Sequence, residues 1–90
     1  MDDVTLIELT YITIAPNRKK VLCAFNDEDY MRPIQIAKKL DLHPSAVSNN
    51  LKKLRDRGYV YLMNPDYHIP RLYRLTDRGK YIINFIDDLD

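Results

Sequence analysis

A chain of ninety residues, 46% hydrophobic and 30% charged, is long enough for one folded domain with a single modest core. Two glycines exclude a glycine-rich phosphate-binding loop, and one cysteine excludes an internal disulfide, which fits a reducing cytoplasm. No apolar run reaches the length of a membrane span, and the start, MDDVTLIELT, lacks the basic region of a signal peptide, so we expect no membrane partner.

The formal net charge of +1 hides a strong segregation of charge along the chain. Between Arg32 and Lys80 lie eleven Lys and Arg side chains and four Asp, a net charge of +7, whereas the remaining residues carry −6. A basic middle with acidic ends predicts one surface that binds a polyanion. Ordinary solvated charge is the alternative interpretation.

The first element, over residues 3–14, is an apolar arm whose secondary structure is ambiguous. Its apolar side chains partly fit a helix, with Ile7, Tyr11 and Ile14 on one face, although their β-branched density would also suit a strand. We predict a helix over about residues 3–12. Such an arm must bury its apolar side chains against its own core or against a partner's.

A second helix is predicted to begin at Pro16, because proline suits the first turn of a helix. Its predicted inward side chains are Val21, Leu22 and Phe25, and Cys23 is expected to be a buried structural thiol. Residues 26–29 form an acidic, turn-rich linker, after which one short strand around Met31 is possible.

Residues 33–58 have the pattern of two helices joined by a tight turn. Pro33 and Pro44 each mark a first helical position, Asp41 tolerates the left-handed conformation of the turn, and Gly58 ends the second helix. The inward stripe of the second helix is Val47, Leu51 and Leu54. The pattern predicts a helix-turn-helix.

After Gly58 the hydrophobic period changes from helix to strand. Residues 59–63 and 71–75 are β-branched and aromatic and flank a turn-rich loop, which predicts a hairpin, or wing, over residues 59–75. Thr76 then caps a C-terminal helix over residues 76–90, in which Gly79 permits close packing. The expected fold class is α+β: one domain over residues 1–90, a winged helix with flanking N- and C-terminal helices.

Three segments carry a family resemblance: APNRKKVL, PIQIAKKLDLHPSAVSNNLKKLRDRGYV and LMNPDYHIPRLYRLTDRGK. Over about residues 15–80 they resemble the winged helix of archaeal and MarR-like transcription regulators. The resemblance implies a sequence-specific DNA-binding regulator that acts as a homodimer. Three features depart from the family pattern: the wing loop 64–70 holds only His68 as a possible cation, Asp41 replaces the family's turn glycine, and His43 replaces the usual Ser or Thr helix cap.

The outward face of the second helix of the pair supplies the candidate base-reading side chains. At 100° per residue, that face holds Ser45, Ser48, Asn49 and Lys52, flanked by Pro44 and Lys53. Asn49 can pair bidentately with adenine, Lys52 can reach guanine or phosphate, and Pro44 can touch a thymine methyl. The plain alternative is a solvated polar helix face.

Four further cations are candidate contacts to the DNA backbone. Arg71 in the wing suits phosphate or the minor groove, although a salt bridge to Asp66 is equally compatible with the sequence. Arg74 suits backbone contact or solubility. Arg32 and Lys38 lie before and on the first helix of the pair, which usually crosses the backbone.

The apolar ends of the chain predict the dimer interface. The candidate residues are Leu6, Ile7, Tyr11, Ile82, Phe85, Ile86 and Leu89. A twofold dimer predicts a pseudo-palindromic site with half-sites about one helical turn apart.

No set of residues is spaced for nucleophilic catalysis or for metal binding, so we expect neither an enzyme nor a cofactor. Because the wing is poorly basic and the ends of the chain are apolar, the alternative function is a winged helix used for protein–protein contact in a transcription assembly.

Overall fold

The computed structural model describes residues 2–25, 30–65 and 71–89, the side chain of Leu89 excepted. In these ranges the elements follow in the order α1 (Asp3–Thr13), α2 (Pro16–Cys23), α3 (Pro33–Leu40), α4 (Pro44–Asp56), β1 (Val60–Leu62), β2 (Tyr73–Leu75) and α5 (Asp77–Leu89). A helix-turn-helix formed by α3 and α4 and followed by an antiparallel hairpin is a winged helix, which confirms the predicted fold class. None of the described helices is long and apolar enough to cross a membrane.

Local chain signals account for the boundaries of the helix-turn-helix. Proline occupies the first turn of α3 and of α4, where a missing N–H loses no hydrogen bond. The Gln35 side chain accepts a hydrogen bond from the Arg32 N–H and so anchors the start of α3. Asp41 ends α3 in the left-handed region with φ 55°, and Gly58 turns the chain after α4 with φ 81°.

The core is centred on α2, which packs against α1, α3, α4 and α5. The inward stripes of α2 and α4 are fully buried, as their periodicity predicted, and include Val21, Leu22, Val47, Leu51 and Leu54. Each fully buried branched or aromatic side chain contributes about 1.5–3 kcal/mol relative to exposure, so these stripes hold α4 to the domain and leave its other face free.

The wing has a short sheet. Val60 pairs with Leu75 and Leu62 pairs with Tyr73, and one further hydrogen bond of 2.7 Å runs from the Met63 N–H to the Leu72 carbonyl. In place of the predicted short strand, Met31 forms an isolated β-bridge, in which its N–H and C=O each bond to Tyr73 at 2.9 Å. The tip, residues 66–70 with Asp66 and His68, lies outside the described residues.

The N-terminal arm is a helix, as predicted, and it buries one face against the chain's own core. That face holds Thr5, Glu8, Leu9 and Ile12. The Asp2 carboxylate caps α1 by accepting from the Thr5 N–H at 2.7 Å, and this hydrogen bond lowers the pKa of Asp2.

The C-terminal helix is fastened to the wing and to α1. Gly79 faces the Tyr59 carbonyl so closely that an added Cβ would lie 2.2 Å from that oxygen, and the Thr76 hydroxyl accepts from the Gly79 N–H at 3.1 Å. Both the predicted close packing and the predicted cap are confirmed. Arg78 forms an ion pair with Glu8 of α1.

The predicted assignment of Ile82 and Ile86 to a dimer interface is wrong. Their side chains are at most 1% exposed and belong to the core of their own chain. An apolar stripe on a terminal helix has the same periodicity whether it packs within the chain or against a partner, and here α5 packs against α1, α2 and the wing.

Candidate nucleic-acid interface

The face of α4 opposite the buried stripe is polar and solvent-exposed. All six side chains predicted to read or contact DNA from this helix lie on the surface: Pro44, Ser45, Ser48, Asn49, Lys52 and Lys53. Because the stripe of Val47, Leu51 and Leu54 fixes the rotation of the helix, these side chains have one orientation relative to the domain. They form a continuous polar ridge that carries two cations.

The start of α4 is capped by an imidazole. His43 Nδ1 accepts from the Ser45 N–H at 3.1 Å and lies 2.8 Å from the Ser45 hydroxyl oxygen. Because Nδ1 already acts as an acceptor, the Ser45 O–H donates to it, and the hydroxyl lone pairs face outward. His43 therefore caps α4 in place of the usual Ser or Thr.

The two neighbouring asparagines of α4 differ in what they offer to a ligand. Asn50 is half-buried and donates from Nδ2 to the Ala46 carbonyl at 2.8 Å. Asn49 is exposed. Asn49 is therefore the carboxamide that this helix presents to a ligand.

A groove of about 570 Å³ separates α4 from the wing. Its lining residues are Pro33, Ser48, Asn49, Lys52, Arg55, Asp56, Arg71 and Tyr73. The groove brings together Ser48, Asn49, Lys52 and Arg71, four of the predicted site residues. The other six do not line it.

Arg55 is the cation of this groove that the sequence prediction missed. Arg55 lies at the edge of the outward face of α4. It lines a groove because the wing packs beside this part of the helix. One sequence signal points to it: Ser48, Lys52 and Arg55 follow each other at spacings of four and three residues, which places them in one row along the helix.

The remaining predicted backbone contacts lie in different surroundings. Arg32 and Lys38 are exposed at the start of α3 and on it. Arg74 is half-buried and stands opposite Tyr61 in the hairpin. The Arg71–Asp66 salt bridge that the sequence allowed falls on a residue outside the described ranges.

Three arginines of the chain are engaged in holding the fold. The guanidinium groups of Arg18 and Arg57 each lie 3.9 Å from the ring centroid of Tyr11, and Arg18 also donates to the Tyr11 carbonyl. Arg18 is therefore half-buried. Arg57 and Arg78, which pairs with Glu8, belong to the basic middle segment, and their contacts reduce the charge that this segment offers to a ligand.

Tyr59 lies beneath the Arg78 guanidinium, which is 5.5 Å from the centroid of its ring. Burial raises the pKa of Tyr59, and the negative charge of Glu8 adds to the rise, while Arg78 opposes it. The ring is 1% exposed, so Tyr59 serves the core beneath the wing.

The side chains of the other predicted dimer residues differ in how far they are exposed to solvent. Leu6 and Ile7 are 55% and 64% exposed. Tyr11 is half-buried between its two arginines, and Phe85 is half-buried with its ring centroid 4.9 Å from that of Tyr81. The side chain of Leu89 lies outside the described ones.

One comparison identifies the family. The model described as "Bacterial regulatory protein, arsR family" matches residues 15–61, from the break before α2 into β1. The chain belongs to the arsR family. The resemblance to winged-helix regulators is thereby confirmed, while an archaeal type stays a prediction. The search of curated proteins finds no match.

Solved structures share the fold of this arsR-family chain. TubR of Bacillus thuringiensis, bound to 24 bp of tubC, is 18% identical with a TM-score of 0.82, and the alignment covers 96% of this chain and 95% of TubR. MarR of Escherichia coli, complexed with operator DNA, is 28% identical with a TM-score of 0.70 over 91% of this chain and 60% of MarR. The Zalpha domain of PKZ from Carassius auratus, in complex with Z-DNA, is 21% identical with a TM-score of 0.60 over 68% and 94%.

The described residues of this arsR-family chain include no group of three or more His, Cys, Asp or Glu side chains placed to hold a metal ion. The Cys23 side chain is half-buried and packs against the core. The chemistry that these surfaces offer is hydrogen bonding and positive charge.

Proposed function

We propose that the protein is a sequence-specific regulator that binds double-stranded DNA with α4 in the major groove. The observation that carries the proposal is the exposed polar ridge of α4, fixed in rotation by a fully buried stripe and bordered by a groove with three cations. Membership of the arsR family of regulatory proteins supports it, as do the DNA complexes of TubR and MarR, which share the fold.

The residues of α4 have distinct roles in this proposal. Asn49 presents a donor and an acceptor that match the N6 and N7 edge of adenine. Ser45, whose proton is held by His43, presents an acceptor to the amino group of adenine or cytosine. Lys52 reaches guanine or phosphate, and Lys53 contacts phosphate on the opposite flank. Pro44 contacts a thymine methyl.

The backbone contacts come from α3 and the wing. Arg32 and Lys38 are exposed where the first helix of the pair crosses the backbone, and Arg71 and Arg74 belong to the wing. Such contacts fix the register of the domain on the duplex and make its affinity dependent on salt.

The proposed regulator acts as a homodimer through α1. Val4, Leu6, Ile7 and Ile14 are 55–73% exposed, although Leu9 and Ile12 of the same helix are buried. A fully buried side chain contributes about 2 kcal/mol, and roughly two thirds of each of these four is still exposed, so covering them in both copies contributes about 10 kcal/mol. Association costs about 4–15 kcal/mol, so we expect a dimer whose population depends on concentration.

Sedimentation equilibrium tests the dimer. Ile7→Asp places a charge in the apolar face of α1 and is expected to give a monomer, whereas Asn17→Asp adds the same charge at an exposed site of α2 and should leave the mass unchanged. A dimer that tolerates Ile7→Asp would assign the interface to another surface.

Duplex binding is tested by fluorescence anisotropy over a range of salt concentrations. We expect the affinity to fall with salt and the slope of log K against log[salt] to shrink by about one unit in Lys52→Ala. The matched control is Lys20→Ala, an exposed lysine on α2 outside the proposed interface. Absence of duplex binding at low salt contradicts the proposal and favours the protein–protein module that the sequence also allowed.

A second use of the same surface is plasmid segregation, the role named for TubR. One observation favours it: the fold of this chain is more similar to TubR, with a TM-score of 0.82, than to MarR, with a TM-score of 0.70. Promoter-reporter repression by the protein would support regulation, and retention of an otherwise unstable plasmid carrying the bound site would support segregation.

A further inference from the structure

We propose that copies of this chain bind each other head to tail, with the outward face of the wing sheet of one copy on the outward face of α5 of the next. The proposal goes beyond the proposed function and depends neither on DNA binding nor on the dimer through α1. It assigns an occupant to two surfaces that the fold leaves exposed.

The first surface is the side of the wing sheet that points away from the core. The register pairs Tyr61 with Arg74, and the bridge between Met31 and Tyr73 adds a third backbone segment to the sheet. One residue from that antiparallel bridge, Tyr30 lies opposite Arg74. The row across the sheet is therefore Tyr30, Arg74 and Tyr61, about 10 Å long.

Met63 and Leu72 form the next row on this side, joined by the hydrogen bond from the Met63 N–H to the Leu72 carbonyl. Tyr30, Tyr61 and Met63 are 54%, 42% and 41% exposed, and Leu72 and Arg74 are half-buried. These five residues form the sheet face. The cores of protein–protein interfaces are enriched in Tyr, Met and Arg and depleted in Lys, Asp and Glu. The composition of the sheet face therefore indicates a protein partner, and its one charge is positive.

The second surface is the outward row of α5. Asp77, Tyr81, Asn84 and Asp88 follow each other at spacings of four, three and four residues, which places them in one row about 16 Å long. All four are exposed, and the ring of Tyr81 packs edge-on against the ring of Phe85 on the same side of the helix. These five residues form the α5 face. It carries two acids, two aromatic rings and no cation.

The two faces complement each other in charge and in chemistry. Arg74 lies in the middle of the sheet face and can form a bidentate pair with one carboxylate. We assign that carboxylate to Asp88, because Asp77 lies in the first turn of α5 and complements the positive end of its own helix. The ring of Tyr81 then packs against Tyr61. A second copy of this chain therefore supplies the acidic and aromatic partner that suits the sheet face.

The contact joins two different surfaces, so it is heterologous and can extend into an open array. Each face is small compared with the about 20–30 residues on each side of a standard interface, so the contact is weak. We expect it to form in solution at chain concentrations of about 0.1–1 mM, and at lower concentrations where adjacent sites on one DNA hold copies close together.

Sedimentation velocity of the complete chain without DNA, from about 0.02 to 1 mM at low salt, measures this association. Arg74→Glu and Asp88→Lys each place like charges across the contact, so each is expected to weaken association about tenfold or more. An equal mixture of these two variants should associate again, because each supplies the charge that the other lacks. Asp87→Lys makes the same charge change one residue away, on a different side of α5, and should match the wild-type chain.

Tyr61→Ser tests the sheet face without a change of charge and should weaken association about threefold or more. Added salt should weaken the association of the wild-type chain, since the contact includes an exposed ion pair. Thermal melting of each variant controls for folding. Recovery in the mixture of Arg74→Glu and Asp88→Lys also shows that both of these variants keep their fold.

Three results would overturn the proposal. The mass may not change over this range of concentration, or it increases and neither charge variant lowers it. The third result is loss of association in Arg74→Glu with full association in Asp88→Lys, because the sheet face then binds a surface other than the α5 face. Binding of oligo(dT) by a chain that does not self-associate would assign the sheet face to single-stranded nucleic acid. The mass at the lowest concentration reports the dimer through α1 separately, so a monomer there leaves this proposal standing.

Discussion

Gly79→Ala should destabilise the protein, although the same change in most helices is stabilising. Alanine is favoured over glycine in a helix by about 1 kcal/mol. Here the new methyl group would lie 2.2 Å from the Tyr59 carbonyl oxygen and 3.1 Å from Leu75 Cδ2. The oxygen cannot yield easily, because it accepts from the Thr76 N–H at 3.1 Å and so joins the start of the wing to the start of α5.

The magnitude follows from these contacts. Overpacking against backbone costs about 1–3 kcal/mol, and loss of the Thr76 hydrogen bond adds about 1 kcal/mol. After the gain in helix propensity, the net loss is about 1–3 kcal/mol, a large part of the 5–15 kcal/mol that is typical of a domain.

Urea denaturation followed by circular dichroism measures this loss. Asn84→Ala, at an exposed position of the same helix, is the control and should be neutral or slightly stabilising. If Gly79→Ala raised the midpoint as much as Asn84→Ala, the close packing of α5 on the wing would be refuted.

Three further predictions concern single contacts. Glu8→Gln should cost about 1 kcal/mol of unfolding free energy, because the carboxylate is nearly buried while its partner Arg78 is half-exposed and partly screened; a double-mutant cycle with Arg78→Ala should give a coupling near zero if the ion pair contributes nothing. Asp41→Gly should raise the unfolding free energy by about 1 kcal/mol in chemical denaturation, since the left-handed φ of 55° strains any side chain; an unchanged midpoint would count against it. Because the pKa of Tyr59 is raised in the folded state, its effect on stability should appear only above its ordinary pKa of 10.0, where stability falls as pH rises; stability that stays level there, with Tyr59 ionising at its ordinary pKa in an ultraviolet titration, would contradict this.

The helix-turn-helix was predictable because its signals are local. Prolines at two helix starts, a turn residue that tolerates the left-handed region and an inward stripe at helical spacing all lie within residues 33–58. The rotation of α4, and with it the exposure of Asn49 and Lys52, follows from that stripe alone. The wing was predictable as a hairpin, since its strands alternate, but the described sheet has three residues in each strand rather than five.

The sequence does not predict which face of α1 is buried, because this helix carries apolar residues on all of its faces. Its buried face includes Glu8, whose partner Arg78 is 70 residues away. No local pattern reveals such a pairing. The same reason explains the error at Ile82 and Ile86 and the omission of Arg55, since each depends on which distant element packs beside it.

The central claim is that the outward ridge of α4 reads duplex DNA as half of a twofold dimer. Selection of bound duplexes from a random pool tests it most directly, with the mass of the selected complex measured alongside. We predict an inverted repeat whose half-sites are about one helical turn apart, two chains per duplex, and loss of preference at one adenine in each half-site for Asn49→Ala. A pool that remains random, or a motif that Asn49→Ala leaves unchanged, would contradict the claim.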